Sequence, residues 1–252
     1  MKLLIDTELY LFRAAAASEY EVEWAPDEWT YLCRHGDAKA AFQGIVGELM
    51  EMAPDHQPVM VFGGPASFRY GIYPGYKSNR KGLKKPAGFR ALADWVLTAA
   101  AGRGWETHQL LEVEGDDVLG LAAGPGDIIA SDDKDMLTLP GILLRNGEVL
   151  EISEDQADRN FFQQALTGDP SDGYPGCPGI GPVKAERALD LCHTPAEMWA
   201  AVLGAYRKAG KSDHFALQMA RCARILRPGE YDHDAKTPIL WMPPLGQATA
   251  AG

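Results

Sequence analysis

Apolar positions fall into two textures along the chain. As far as Ile152, short apolar runs alternate with stretches of helical spacing. Lys2–Ile5 is an apolar run that ends at Asp6, and Pro58–Phe62 is a second, ended by Gly63-Gly64-Pro65. Both read as buried strands. Trp105–Leu111 and Asp127–Ala130 read as further strands. Ala38–Met52, closed by Pro54, reads as a helix, as do Phe89–Ala101 and Glu114–Ala123. Ile142–Arg145 and Val149–Ile152 flank Asn146-Gly147, a strong hairpin signal. Alternation of this kind predicts an α/β region with a mainly parallel central sheet flanked by helices. After Ser153 the pattern becomes helical. Ser153 and Gln156 have capping-box spacing ahead of a helix to Leu166. Helices are predicted at Val183–Leu191, Pro195–Ala209 and Asp213–Leu226, after a Gly/Pro-rich stretch, GDPSDGYPGCPGIGP. The expected organisation is an α/β core over 1–152, containing a distinct region at about 65–100, a helical region over 153–242, and a frayed tail over 243–252.

Composition narrows the class. The 252 residues are 46% hydrophobic, enough for a substantial core and against intrinsic disorder. No apolar run reaches the ~18 residues that a membrane span needs, and Asp6 and Glu8 interrupt the N-terminal stretch that a signal peptide would require. Cys33, Cys177, Cys192 and Cys222 form no CxxC pair and read as reduced thiols of a cytoplasmic protein. The net charge is −11, which argues against coating nucleic acid by bulk charge. The distribution changes that picture. From His56 to Ala93 there is no acidic residue, while Arg69, Lys77, Arg80, Lys81, Lys84, Lys85 and Arg90 are interleaved with Phe68, Tyr70, Tyr73, Tyr76 and Phe89. A basic run alone is usually a solvated face. Rings among the cations suit single-stranded or end-frayed nucleic acid.

The acids share a position type. Asp6 follows a strand; Glu114, Asp116 and Asp117 open a helix after a strand; Asp133 and Asp135 follow another. Ligands of an open parallel sheet gather at the carboxyl ends of its strands. Each acid alone fits a helix N-cap or first turn. Together they fit a site for hard divalent cations, Mg²⁺ or Mn²⁺. Asp169 and Asp172 in GDPSD add a further group, whose simpler reading is turn chemistry. The Gly179-Ile180-Gly181 turn opening a helix, with Lys184 one turn in, suits a phosphate.

The motifs LLIDTE, YPGYKSNRKGLKKP, LEVEGDD, ASDDKDML, GDPSDGYPGCPGIG, QMARCARILRPGEY and ILWMPP, in this order, resemble the 5′-nuclease superfamily. That group comprises flap endonucleases, the 5′-nuclease domain of bacterial DNA polymerase I and phage 5′-exonucleases, and the nearest resemblance is to exonucleases of short-tailed phages similar to T7. The resemblance implies a PIN-like α/β fold with a helical arch or loop and a C-terminal helix-three-turn-helix motif. It implies metal binding by Asp6, Glu114, Asp116, Asp117, Asp133, Asp135, Asp169 and Asp172, with the Asp-Lys-Asp spacing selecting Asp133 and not Asp132. Lys77 and Arg80 match basic residues that meet the scissile phosphate, with Tyr76 an aromatic beside them. Arg69, Lys81, Lys84 and Lys85 are further expected DNA contacts. Gly179, Gly181 and Lys184 match the duplex grip, which in relatives often involves K⁺. One departure stands out: the family has an Asp just after the second strand's Phe, and this chain has Gly63-Gly64.

The implied function is a monomeric, two-metal 5′→3′ exonuclease or flap nuclease. Its expected substrates are DNA with 5′ ends, nicks or flaps and RNA primers in RNA/DNA hybrids, and it would work in the host cytoplasm if phage-encoded. Two other readings stay open. One is a DNA-structure binder whose chemistry was lost at Gly63-Gly64. The other is a small toxin-like ribonuclease, against which the C-terminal helical region speaks.

Overall fold

The computed structural model describes residues 1–244; the expected tail lies mostly outside them. The chain packs as two compact units that interleave in sequence. One comprises Met1–Ala66, Gly82–Asp133 and Gly141–Leu150, and the other Ser67–Lys81, Lys134–Pro140 and the chain from Glu151 onward. The division therefore differs from a simple cut at 152. Two short excursions, one from the basic region and one from the SDDKDM segment, join the helical unit.

The first unit is built on β1 (Lys2–Asp6), β4 (Gln57–Phe62), β5 (Glu106–Gln109), β6 (Ile128–Ala130), β7 (Gly141–Arg145) and β8 (Glu148–Ile152), in spatial order β5-β4-β1-β6-β7-β8. β1 pairs in parallel with both β4 and β6, β4 with β5, and β6 with β7. The mainly parallel central sheet is thus present. Leu3 and Ile5 join Met60, Phe62 and Ala130 in a core with α1 (Thr7–Ala17), α2 (His35–Met52) and α4 (Phe89–Ala99). Leu4, Val59 and Val61, which alternate with them, are buried too, and α5 (Gly115–Ala122) packs on β1 and β4. Burial on both faces explains why these strands are continuous apolar runs.

Two elements lie where the sequence reading places none. Buried Thr7, Tyr10, Leu11, Ala14 and Ala15 of α1 have helical spacing. The second is a two-stranded hairpin of β2 (Glu19–Ala25) and β3 (Glu28–Cys33). In Glu19-Tyr20-Glu21-Val22-Glu23-Trp24 the charges alternate with apolar residues, a period-2 signal. Asp27 in the turn has φ 66°, a left-handed conformation that Asp tolerates. Among the elements that were expected, α2 starts earlier, at His35, and β5 is confined to Glu106–Gln109.

The second unit contains α3 (Arg69–Ile72), α6 (Glu154–Thr167), α7 (Pro182–Leu189), α8 (Pro195–Lys208) and α9 (Asp213–Ala223). Phe161, Phe162, Tyr206 and Met219 form its core. The Trp241 ring meets the ring edges of Phe161 (centroids 5.1 Å apart) and Trp199 (5.4 Å), which gives the ILWMPP motif a packing role. Arg224 makes a two-pronged pair with Glu230 at 3.1 and 2.7 Å, and Arg227 pairs with Asp158 at 2.7 Å, so the basic residues of QMARCARILRPGEY are structural. The expected arch region divides. Its first half carries only four-residue α3 and a 3₁₀ turn at Ser78–Arg80; its second half is an irregular strap, Gly82–Gly88, leading into α4. No helix among the described residues is long and apolar enough to cross a membrane.

Candidate active site

The parallel register brings strand ends together in the α/β unit. Ile5 lies beside Ala130 and Asp6 beside Val61, so Asp6, Ser131 and the Phe62-Gly63 turn emerge along one edge of the sheet. Asp6 is 8% exposed. Its Oδ2 accepts from Ser131 Oγ at 2.7 Å, and its Oδ1 accepts from the Leu9 backbone N–H at 3.3 Å, which caps α1. Ser131 Oγ also accepts from the Asp133 N–H at 3.2 Å, so one hydroxyl orients both strand ends. Burial pushes the Asp6 carboxyl up to about 6. The Ser131 and Leu9 hydrogen bonds oppose this rise, and the charges of Asp133 and Glu8 add to it. Ser131 was not among the expected site residues. A small hydroxyl after Ala130 carries no signal of its own.

Asp132 and Asp133 differ in their surroundings. Asp132 pairs with Arg13 and accepts from the Asn146 N–H at 2.5 Å, so its carboxylate anchors the sheet edge. Asp133 is half-buried. At the start of α5, Asp117 is fully buried and its Oδ2 accepts from the Glu114 N–H at 3.1 Å, one half of a capping box. Asp117 thus has the helix-capping role that its position favours. Glu114 and Asp116 are half-buried in the same turn.

The Gly63-Gly64 departure has a steric cause. A Cβ on Gly64 would lie 2.3 Å from the Leu110 carbonyl oxygen, and one on Gly63 would lie 2.9 Å from the Gly115 nitrogen. The strand end is held there by Gly64 N–H donating to the Val113 carbonyl at 2.7 Å and by Gln109 Nε2 donating to the Gly63 carbonyl at 2.6 Å. A carboxylate nevertheless reaches this position. Glu8 Oε2 accepts from the Gly63 N–H at 3.3 Å and lies 3.0 Å from where a Gly63 Cβ would be. Glu8 was not among the expected ligands, although it stands two residues after Asp6 in LLIDTE.

The helical unit holds the remaining expected residues in a tight knot. In the GDPSDGYPG loop Asp169 and Tyr174 form a bridge, and Gly168 and Gly176, both at positive φ, pass so close that a Cβ on either would lie about 2.4 Å from the other's backbone. Asp169 is buried; its Oδ1 accepts from Ser171 N–H (2.7 Å) and Ser171 Oγ (2.6 Å), and its Oδ2 meets Lys134 Nζ at 2.9 Å. Burial would raise its carboxyl, but the Ser171 and Lys134 hydrogen bonds hold it below the ordinary value. Asp172 Oδ1 is shared by Arg80 Nη2 at 2.6 Å and Lys77 Nζ at 3.7 Å, and Tyr76 Oη donates to Oδ2 at 2.9 Å. Asn79 Nδ2 and Arg80 Nε donate to the Pro170 and Ser171 carbonyls at 2.7 and 3.1 Å. Asp135 is half-buried in a 3₁₀ turn.

Several expected DNA contacts are corrected. Arg69 is 3% exposed, and its guanidinium donates to the Cys222 and Arg224 carbonyls at 3.0 and 2.5 Å, so it fastens α3 to the end of α9. Tyr76 is also 3% exposed, with its ring against Tyr174, and presents no face to a base. Lys81, Lys84 and Lys85 are exposed, with Lys85 turned onto Glu8 at 3.1 Å. Gly179 has φ 76° and is exposed, Gly181 caps α7, and Lys184 Nζ donates to the Gly179 carbonyl at 2.8 Å, closing the turn ahead of the helix. Among the described residues no group of three or more His, Cys, Asp or Glu side chains is arranged to hold a metal ion. The physical reason is visible: Asp132, Asp169 and Asp172 have protein cations, and Asp117 has a backbone N–H.

Residues 1–164 match the family of the 5′-3′ exonuclease N-terminal, resolvase-like domain. The chain is 28% identical, over an alignment of 287 positions, to an exodeoxyribonuclease of Enterobacteria phage T3, covering 96% of this chain and 92% of that protein. It is 29% identical over 182 residues to the flap endonuclease Xni of Shewanella sp. strain MR-4, covering 67% and 70%. Its fold is similar to that of the 5′-exonuclease of phage T5 solved with divalent zinc, with a TM-score of 0.64 at 15% identity over 88% of each chain. With the matched region spanning the strand-end acids and the basic segment, the chain belongs to the 5′-3′ exonuclease family.

Proposed function

We propose that this protein is a divalent-metal-dependent 5′→3′ nuclease that hydrolyses DNA phosphodiesters at 5′ ends, nicks or flaps. The observation that carries the reading is the buried Asp6 carboxyl at the edge of the parallel sheet, raised to about 6 by burial and by Asp133 and Glu8 beside it. A buried acid among acids gains from a cation, and an all-oxygen donor set suits Mg²⁺ or Mn²⁺. Asp6, Asp133, Glu114 and Asp116 would hold metal in the α/β unit, with Glu8 in place of the acid that Gly63-Gly64 cannot carry. Asp135, Asp169 and Asp172 are the helical unit's candidate ligands, and Asp117 supports the Glu114 turn. When bound, the ions supply an acidified water nucleophile and charge for the leaving oxygen.

The chain's own residues do the rest. Ser131 fixes the carboxylate of Asp6 and the backbone of Asp133, so both present in one orientation. Lys77 and Arg80 hold a carboxylate oxygen between them and would hold a phosphate oxygen instead, offsetting its charge as it builds up. Tyr76 positions Asp172 and with it those cations; it is not a stacking platform. The Gly179–Gly181 turn and Lys184 would grip the duplex backbone as a helix-three-turn-helix, reading ends and not sequence. K⁺ at that turn, RNA/DNA hybrids as further substrates, a monomeric state and action in a host cytoplasm belong to the same proposal. The T3 relative is named an exodeoxyribonuclease and Xni a flap endonuclease, and the T5 structure was solved with divalent metal, which supports it.

The test is cleavage of nicked, flapped and blunt duplexes with Mg²⁺, with Mn²⁺ and with EDTA. The proposal expects metal-dependent products from the nicked or flapped substrates. Binding without cleavage in every metal would favour the non-catalytic DNA binder.

A further inference from the structure

The β2–β3 hairpin displays unusually exposed rings, with Trp24 67%, Trp29 52% and Tyr31 59% exposed. Trp29 and Tyr31 alternate on one face of β3. With Phe12 of α1 and the Lys84–Ala87 strap they line a cavity of about 660 Å³, within the range of small-ligand sites. Its wall is fixed. The Ala87 N–H donates to Glu19 Oε1 at 2.7 Å, and Gly88 passes so close to the hairpin that a Cβ would lie 2.6 Å from Cys33 Sγ. Lys85 is turned onto Glu8 and over the Phe89 ring at 4.0 Å. Lys84 is exposed on the rim and makes no ion pair among the described residues.

Charge around the cavity is one-sided. The hairpin carries Glu19, Glu21, Glu23, Asp27 and Glu28 and no Lys or Arg, whereas the strap carries Lys84 and Lys85. A polyanion is repelled from the hairpin edge and attracted to the strap edge. Rings beside cations suit unpaired bases, which have a free face, and not bases stacked within a duplex. We propose that this cavity is a stacking site for one nucleobase of single-stranded DNA, with the neighbouring phosphate on Lys84. The inference rests on the nucleic-acid reading above and adds to it a place for unpaired strand on the α/β unit.

The experiment titrates a 3′-dye-labelled, 5′-phosphorylated oligothymidylate into the full chain in EDTA and follows fluorescence anisotropy. Trp29→Ala combined with Tyr31→Ala should weaken binding by about tenfold or more, the loss of a stacked base. Lys84→Glu should weaken it comparably and lower its salt dependence. Trp24→Ala, which removes an exposed hairpin ring outside the cavity, should bind as the unaltered protein does. Equal affinity in all variants overturns the proposal. So does an equal loss in Trp24→Ala, which would mean that hairpin rings outside the cavity count as much as those lining it. If melting curves show the double variant unfolded, Lys84→Glu on the exposed strap decides, and an affinity within about twofold of the unaltered protein overturns the site. Failure of the nuclease reading shows separately, as absence of Mg²⁺-dependent cleavage of a nicked duplex, and leaves this binding result standing.

Discussion

The acids of the α/β unit and those of the helical unit come from similar Asp-rich motifs and meet opposite surroundings. Asp6 is buried beside Asp133 and Glu8, and its carboxyl is pushed up to about 6, with burial the leading cause. Asp169 is buried too, yet Ser171 and Lys134 hold its carboxyl below the ordinary value. Asp172 shares an oxygen with Lys77 and Arg80 and takes a hydrogen bond from Tyr76. In the α/β unit like charges crowd a buried acid, and in the helical unit Lys134, Lys77 and Arg80 sit directly on the loop's carboxylates. An added cation therefore gains more at Asp6 than at Asp169. An incoming phosphate gains more at Lys77 and Arg80, where it exchanges for a carboxylate.

The largest expected effect breaks this comparison at its acidic end. Asp133→Asn keeps the shape of the side chain and the Ser131 contact to its backbone but removes the charge. Turnover on a nicked duplex should fall at least about a hundredfold, since even outer partners of a metal cost 10–100-fold. Melting temperature should be nearly unchanged; near-normal turnover would erase the distinction between the units. Next in size is Gly64→Asp, the substitution that restores an acid at the family position. With its Cβ 2.3 Å from the Leu110 carbonyl, it should cost stability by about 3 kcal/mol or more. An unchanged denaturation midpoint together with tighter metal binding would show that the glycine, not Glu8, limits the site.

Glu8→Gln sharpens the same point. An amide oxygen still accepts from the Gly63 N–H, so the turn survives while the charge is lost. Mn²⁺ affinity by calorimetry should drop by about tenfold, and equal affinity would leave Glu8 only a structural acceptor. The smallest effect belongs to the helical unit. Lys184→Ala should weaken duplex binding by similar factors for all sequences and lower the salt slope by roughly one. A changed sequence preference with an unchanged slope would contradict a backbone grip.

What the sequence made legible follows from how local each signal is. The strands Lys2–Asp6 and Gln57–Phe62 hold the unbroken apolar runs Leu3–Ile5 and Pro58–Phe62 because both sheet faces are covered, and the ends of those runs place Asp6 and Gly63 without further information. Asp132 is engaged by Arg13 and the Asn146 N–H, partners that nothing local in ASDDKDML marks. Arg69 and Tyr76 misled because a basic-aromatic segment looks the same whether its rings face a ligand or a core. Only packing against α9 and the GDPSD loop shows them buried. Glu8 and Ser131 matter through contacts far along the chain, Glu8 with Gly63 and Ser131 with Asp6, and no local pattern marks such partners.

The central claim is that the crowded acids around Asp6 in the α/β unit support metal-dependent hydrolysis from a 5′ end. The most direct measurement uses a nicked duplex labelled at either the 5′ or the 3′ side of the nick, incubated with the unaltered protein and with Asp133→Asn, in Mg²⁺ and in EDTA. The account predicts early release of 5′ label as short products by the unaltered protein in Mg²⁺ alone, with the 3′ label retained in long strands and Asp133→Asn inert. Release that begins at the 3′ label, or 5′ release that persists in EDTA or in Asp133→Asn, would contradict it.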